Sequence, residues 1–442
     1  MKCPVSKRCG GCELLSTAYE KQAKLKQEQV QDLLDEARLK MTAAQPVMAQ
    51  SAIQYRNKVI YGFAKDKNKK IYSGLYEPGS HRVINTRGCH MQPDLVNEIL
   101  DEITKLVDSM KIELYSPRTG TGVLRHVLIR YAQKTQEVMV VFVTAGRDFP
   151  SRKNMVRALR EKFPQIRTIL QNINPRDTSV VLQDETMILY GQGVITDELC
   201  GLNISFSASS FYQINHDQCE VLYRMADEML GLDGTQEVLD TYCGVGTIGL
   251  VLSRHAKQVM GVEINPEAIE NARENARNNH IDNIRFMAMD STAFMKEARR
   301  THKHFDAIVL DPPRAGTTRD FIESACSLKP QQILYISCDP KTLVRDLVFF
   351  KKNGYVSDEV RLVDMFPNTK HIESLVLLHP TKETDRPARF AQSRPAGRFS
   401  SSNASSRKTS AKKTSGMKKS QCELNPYEKA LLELKEKKRS KK

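Results

Sequence analysis

The segment Val238-Leu239-Asp240-Thr241-Tyr242-Cys243-Gly244-Val245-Gly246-Thr247-Ile248-Gly249 limits what this chain can fold into more than any other. An apolar strand runs into a G-x-G-x-x-G turn that opens a helix. Glycines there let the backbone turn sharply and approach a ligand with no Cβ in the way. Apolar stretches at 259–263, 284–289, 307–310, 333–337, 359–365 and 374–379 then alternate with helical patterns at 266–279, 321–327 and 342–352. Alternation of this kind predicts βαβ units in a largely parallel, doubly wound sheet, entered through a helix at 216–230. Such sheets bind ligands at the C-terminal ends of their strands.

The rest of the chain has a different rhythm. Residues 1–16 are rich in Cys and Gly, and residues 17–40 carry Leu25, Val30, Leu33, Leu34 and Ala37 at helical spacing. Short β-branched and aromatic runs at 59–63, 123–131, 138–144 and 178–182 predict a mainly β unit, with helices at 93–110 and 151–163. Residues 381–422 are Ser, Thr, Lys, Arg and Pro with few large apolar side chains, which predicts disorder, and 426–442 could form a short basic helix. The expected organisation is a cysteine-rich segment and helix at 1–45, a mainly β unit at 46–205, an α/β domain at 206–380 and a basic tail at 381–442.

Net charge is +15, which suggests a polyanionic partner, but +12 of it falls in 381–442 and only +3 in the body. The tail is read as a nucleic-acid-binding extension, with a solubilising one as the alternative. No apolar run approaches the roughly 20 residues of a membrane span, and Met1-Lys2-Cys3-Pro4 begins no secretory signal. A cytosolic monomer without membrane contact is expected. In a reducing compartment the ten cysteines are metal ligands, nucleophiles or packing residues rather than disulfides. Cys200, Cys219, Cys326 and Cys422 sit in no motif and are read as packing or plain exposure.

The glycine turn alone leaves nicotinamide and flavin dinucleotides open. Three carboxylates move the reading. Asp240 closes the strand before the turn, where it would repel a pyrophosphate but can meet a cationic amino-acid group. Glu263 ends the next strand, placed for a ribose diol, and Asp290 ends the third, within reach of an adenine amino group. An amino acid, a ribose and an adenine together describe S-adenosylmethionine.

Three further pieces meet the same sheet edge. Asp311-Pro312-Pro313-Arg314-Ala315-Gly316 follows a strand, and its adjacent prolines hold the chain out of helix and sheet so that the carboxylate is presented rigidly. Ile333-Leu334-Tyr335-Ile336-Ser337-Cys338-Asp339-Pro340 is a strand ending at a thiol. Phe366-Pro367-Asn368-Thr369-Lys370-His371-Ile372-Glu373 opens the last strand. A strand-end Cys can be a small buried hydrophobe. Beside a carboxylate turn and a His/Glu pair, nucleophilic use becomes the better reading. Glu373 is then the candidate base, His371 a neighbour that orients it or a phosphate contact, and Asp311 a group holding the base edge or standing between base and cofactor.

These segments resemble the RNA uridine-5-methyltransferase family that modifies tRNA and 23S rRNA. The family pattern Asp/Asn-Pro-Pro-Arg-x-Gly, then Tyr-x-Ser-Cys-Asn-x-x-Thr, is met from Asp311 to Thr342, with Asp339 in place of the usual Asn. A second pattern runs from Asp364 to Glu373, with Asn368 where Gln, His or Tyr is more usual. The resemblance spans residues 1–380 and implies a Rossmann-like methyltransferase domain in which Cys338 is the nucleophile and Glu373 the base. Gln213, Tyr242, Glu263 and Asp311 match the family's cofactor-contacting positions.

Cys3, Cys9 and Cys12 with the distant Cys89 could hold zinc or an iron–sulfur cluster, and spacing alone barely separates the two. The arrangement resembles the [4Fe–4S] site of the ribosomal-RNA branch. A cluster, and 23S rRNA as substrate with tRNA second, are therefore what the resemblance implies; a structural role for the cluster, clamping the N-terminal arm to the β unit, is our own expectation. It also implies that the small β-barrel RNA-binding domain preceding the cysteines in many relatives is missing here. Tyr55-Arg56-Asn57-Lys58 and Leu124-Arg125-His126 are candidate RNA contacts, or else a solvated face.

Overall fold

The computed structural model describes residues 2–176 and 180–381. The tail from 382 onward with Cys422, the basic helix expected at 426–442 and part of the strand expected at 178–182 lie outside them. Among the described residues, alternating patterns have become two large sheets.

The first sheet has nine strands. Glu237–Thr241 lies at its centre, flanked in parallel by Gln258–Glu263 on one side and Ala307–Leu310 on the other. Ile284–Ala288 extends the first side and Gln332–Ser337 the second, again in parallel. Glu373–Pro380 then runs antiparallel to Gln332–Ser337, and Glu359–Val363 antiparallel to that. Strand order thus reverses at Glu237–Thr241, and the glycine turn sits at the resulting crevice. Buried on both faces, these strands read as nearly continuous apolar runs, as in Ile333–Ile336. One face packs on the helices His216–Leu230, Thr247–Leu252 and Pro266–Asn278. The other packs on Ser291–Arg300, Arg319–Ser327 and Pro340–Lys352.

The helix expected over 17–40 is Tyr19–Glu36, and its buried face differs from the expected one. Val30 and Leu34 enter the core with Leu39 and Met41 from the following chain, but Leu25 is 46% exposed. Gln22 and Lys26 are buried instead, because partners far along the chain meet them there. Thr42–Ala43 then joins the edge of the nine-stranded sheet beside Glu359–Val363.

The second sheet has seven strands in the order Val83–Asn85, Ile71–Tyr76, Lys58–Lys65, Leu124–Tyr131, Val138–Thr144, Ile166–Ile173 and Thr186–Tyr190. Only Val138–Thr144 and Ile166–Ile173 pair in parallel, joined by the helix Arg152–Lys162. That helix and Asp94–Ser109 cover one face through Val59, Tyr61, Val127 and Ile129. The alternate residues Lys58, Ile60, His126, Leu128 and Arg130 point the other way. A hairpin, Val194–Leu199 with Leu202–Ser207, leads into the half that carries the nine-stranded sheet; its two-residue turn uses Cys200 and Gly201, both at positive φ.

Candidate active site

At the glycine turn, each glycine has a separate reason. A Cβ on Gly246 (φ 84) would meet the Phe286 ring at 2.8 Å, and one on Gly249 would meet Asp240 Oδ2 at 2.9 Å. Space beside Gly244 is open. Glu263 closes the crevice, accepting from the N–H of Gly244 at 3.3 Å and of Asn265 at 2.9 Å. Tyr242 holds a left-handed backbone (φ 63), and its hydroxyl bonds Thr317 Oγ1 at 3.0 Å, tying the glycine turn to the loop after Asp311. Gln213 lies buried just before the helix His216–Leu230, its carbonyl accepting from Asn57 Nδ2 at 2.8 Å.

Two carboxylates depart from the sequence reading. Asp240 is fully buried: Oδ2 accepts from the Gly249 N–H at 2.9 Å, while Oδ1 has no hydrogen-bond partner. Burial pushes it up to about 8, so it serves as an inner brace for the helix that follows the turn. Asp290 lies beyond the strand Ile284–Ala288 and caps the helix Ser291–Arg300, with Oδ1 accepting from the Ala293 N–H at 2.9 Å.

Strand register brings the Cys338 thiol and the Glu373 carboxyl together. Ser337 pairs with Ser374 in the antiparallel ladder, so Cys338 and Glu373 are the next opposed positions beyond that pairing, one on each segment. Glu373 is 2% exposed, and its Oε2 has no hydrogen-bond partner. Burial first, then the Asp311 charge, push its carboxyl well above the usual range. Burial, Glu373 and Asp311 together push the Cys338 thiol up to about 12, while a hydrogen bond from Arg314 pulls the other way. Burial also raises Asp311, to about 7. Cys338 and Glu373 thus both lie against the Arg314 guanidinium, with Asp311 acting on each of them.

Arg314, to which sequence reasoning gave no role, acts on both Cys338 and Glu373. It stands in the quoted proline turn, but nothing in the sequence says that it faces Cys338 and Glu373. Its loop is pinned by Asp346, which accepts from the Thr317 N–H at 3.0 Å and the Tyr335 hydroxyl at 2.7 Å. Thr342 Oγ1 adds a bond to the Arg314 carbonyl at 3.1 Å. His371 does not orient Glu373; it packs edge-on against Phe366 and is lowered by burial and by Arg314.

The four N-terminal cysteines act on one another. Burial and the neighbouring Cys89, Cys9 and Cys3 raise Cys12 to about 11, opposed by Arg56. Among the described residues no three His, Cys, Asp or Glu side chains are already arranged as a metal site. Two expected RNA contacts are engaged internally: Arg56 Nη2 donates to the Gly11 carbonyl at 2.9 Å, and Arg125 Nη1 to the carbonyls of Asn174 and Arg176 at 2.8 and 2.7 Å.

A largely parallel sheet carries an open glycine turn, a carboxylate beside it and a thiol–carboxylate pair at one edge, and the following likenesses show that the protein is an S-adenosylmethionine-dependent RNA methyltransferase. The profile described as tRNA (Uracil-5-)-methyltransferase matches residues 18–381, and the chain belongs to that family. It is 37% identical over 379 residues to an uncharacterized RNA methyltransferase of Bacillus cereus, covering 85% of this chain and 82% of that one. Similarity to one from Halalkalibacterium halodurans is of the same order, 37% over 378 residues, with the same coverage. The Pyrococcus abyssi tRNA (uracil-54, C5)-methyltransferase, solved with S-adenosyl-L-homocysteine, superposes with a TM-score of 0.69 at 26% identity over 83% of this chain and 85% of that one. No helix among the described residues is long and apolar enough to cross a membrane.

Proposed function

We propose that this enzyme methylates carbon 5 of a uridine in RNA through a covalent bond between Cys338 and carbon 6 of the ring. The reading rests on the adjacency of Cys338 and Glu373 that follows from the pairing of Ser337 with Ser374. Carbon 5 of uracil is a weak nucleophile. The Cys338 thiol and the Glu373 carboxyl first release their protons to solvent; addition of the thiolate to carbon 6 then makes the ring an enolate whose carbon 5 can attack a methyl group. When bound, S-adenosylmethionine supplies that methyl group on an electrophilic sulfonium. Glu373 then takes the proton from carbon 5, and the electron pair left behind expels the thiolate. Arg314 stabilises the thiolate and the ring oxygen's developing charge. Gln213, Tyr242, Glu263, Asp311 and Asp290 hold the methyl donor; the open side of Gly244 next to the Glu263 carboxylate suits its ribose.

Cys3, Cys9, Cys12 and Cys89 are the proposed ligands of a [4Fe–4S] cluster, with zinc as the alternative. An all-thiol donor set whose members already sense one another suits a cluster, and Arg56 offsets thiolate charge. Its role would be to hold residues 2–16 on the fold. Replacing Cys9 and Cys12 with Ser should remove the visible absorbance and lower the melting temperature.

In this reading residues 46–205 bind RNA, the tail adds phosphate affinity, and the protein works in the cytosol as a monomer. The likeness of the four cysteines to the ribosomal branch favours 23S rRNA. The matched family's description and the Pyrococcus neighbour favour tRNA as a second reading. Mapping 5-methyluridine in both RNAs from a strain lacking the gene separates them. The mechanism is tested with RNA containing 5-fluorouridine and the methyl donor: wild type should form a gel-stable adduct and Cys338→Ala none. An equal adduct from the variant would overturn it.

A further inference from the structure

We propose that Lys58 and Arg130 form a phosphate anchor that holds the RNA backbone beside the loop carrying Phe211 and Gln213. They are directly opposed across neighbouring antiparallel strands, on the face turned away from the covering helices. Two cations in that position repel, and no carboxylate among the described residues acts on either of them. Arg130 is 2% exposed; Nη2 donates to the Ser210 carbonyl and the guanidinium lies over the Phe206 ring at 5.2 Å, but Nε and Nη1 have no partner. Elsewhere the fold treats a buried cation differently, pairing Lys26 with Asp364 at 2.5 Å. An uncompensated pair is unfavourable in the free protein and becomes favourable once an anion arrives.

The division of labour follows from exposure. Arg130 Nε and Nη1 are closed off from solvent, so Arg130 acts as a fixed charge behind the site in a medium of low dielectric. Lys58 is partly exposed, and makes the contact. Burial and Arg130 pull its ammonium down to about 8, and an adjacent phosphate would restore it. Its sequence neighbours are occupied: Arg56 with Gly11, and Asn57 with Gln213. Ser210, which Arg130 holds, precedes Phe211, which is 66% exposed, and Gln213 lies two residues beyond that. An anion on Lys58 therefore lies next to the loop that enters the active-site crevice. On a chain acting on RNA, that anion is a backbone phosphodiester. The inference rests on the RNA substrate but not on which uridine is modified.

The test uses the full-length protein and a uridine-rich single-stranded oligonucleotide, with Kd measured over a series of salt concentrations. For Lys58→Met the slope of log Kd against log salt should fall by about one and binding weaken about tenfold at low salt. Arg130→Met should also bind RNA more weakly, yet melt at the same temperature or higher, since an apolar chain of similar length replaces an uncompensated charge. S-adenosylhomocysteine affinity, read by calorimetry, should be unchanged in both. An unaltered salt slope in both variants, with wild type still methylating RNA, would overturn the anchor and leave the enzyme reading intact. Equal binding of an oligonucleotide with neutral methylphosphonate linkages would also overturn it, by pointing to a site for free anions. Loss of S-adenosylhomocysteine binding would overturn it in favour of the donor's carboxylate. Failure of wild type to bind or methylate any RNA would sink both readings together.

Discussion

Gln22 and Asn368 hold each other from both ends: Gln22 Nε2 donates to Asn368 Oδ1 at 3.2 Å, and the Asn368 N–H donates to Gln22 Oε1 at 3.0 Å. Asn368 sits five residues before Glu373 in a left-handed conformation (φ 65), which Asn tolerates better than most residues. Its carbonyl accepts from the Leu14 N–H at 3.0 Å, and its Nδ2 reaches the Ala52 carbonyl at 2.8 Å and Met91 Sδ at 3.8 Å. Leu14 follows Cys12 by two residues and Met91 follows Cys89 by two. Both cysteine-bearing segments therefore converge on the loop that leads to the proposed base.

Breaking this hub should disturb catalysis more than RNA binding. Gln22→Leu leaves buried Asn368 groups unsatisfied, at a cost of about 1–3 kcal/mol. The variant is expected to unfold at lower urea and to show a reduced kcat with KM for RNA little changed. A loss confined to KM would show that the hub serves substrate binding instead.

Lys26 and Asp364 brace the other end of the same loop. Their side chains are 1% and 0% exposed, and the Tyr19 hydroxyl donates to Asp364 Oδ2 at 2.9 Å. Lys26 also donates to the Phe366 carbonyl at 3.1 Å. Removing one member strands a buried charge. Lys26→Met should cost about 3–5 kcal/mol, and adding Asp364→Asn should recover much of that. Chemical denaturation of the two singles and the double gives the coupling directly. Additive losses would mean that the pair contributes nothing as a pair.

What the sequence made legible was local. Runs such as Ile333–Ile336 and the glycine turn announce their own conformations, so the parallel sheet and the edge bearing Cys338, Asp311 and Glu373 could be read residue by residue. What stayed hidden needed partners from afar. Gln22 and Lys26 look like the wet side of an amphipathic helix until Asn368 and Asp364, more than three hundred residues on, turn them inward. Leu25 was counted to the buried face for the same reason. The backbone bonds of Asp240 and Asp290 were not legible because a strand-end carboxylate can serve a backbone N–H or a ligand equally well, and only the path of the following chain shows the first. Arg314 lacked a role because its direction depends on Asp346 and Thr342.

The turn's inner brace gives a sharp check on the cofactor site. Gly249→Ala would drive a methyl group to 2.9 Å from Asp240 Oδ2, 3.1 Å from Ile284 and 3.3 Å from Val259, in a packed interior. Overpacking of this kind typically costs about 1–3 kcal/mol. Because Gly249 lies in the helix that opens at the turn, S-adenosylhomocysteine binding should weaken along with stability. Gly146→Ala, which meets no atom within 4 Å and, like Gly249, has no positive φ, controls for a glycine-to-alanine change without a clash. Equal donor affinity in Gly249→Ala and wild type would mean that the turn tolerates the shift.

Glu373 should separate activity from stability. Its folded pKa is raised, chiefly by burial and next by Asp311, so the folded protein holds a proton that the unfolded chain releases near the ordinary carboxylate value. The stabilising effect of that proton is fully present below the unfolded value, and is lost as pH rises towards the folded one. Glu373→Gln has no proton to lose. It should melt close to wild type at pH 5 and above it at pH 8, while methyl transfer falls roughly a thousandfold or more. With ordinary uridine RNA and the methyl donor, the variant should also accumulate a covalent protein–RNA species, since carbon 5 keeps its proton and Cys338 cannot leave. Rapid turnover without that species would transfer the base role to another group, and parallel melting curves at both pH values would mean that Glu373 is not protonated in the fold.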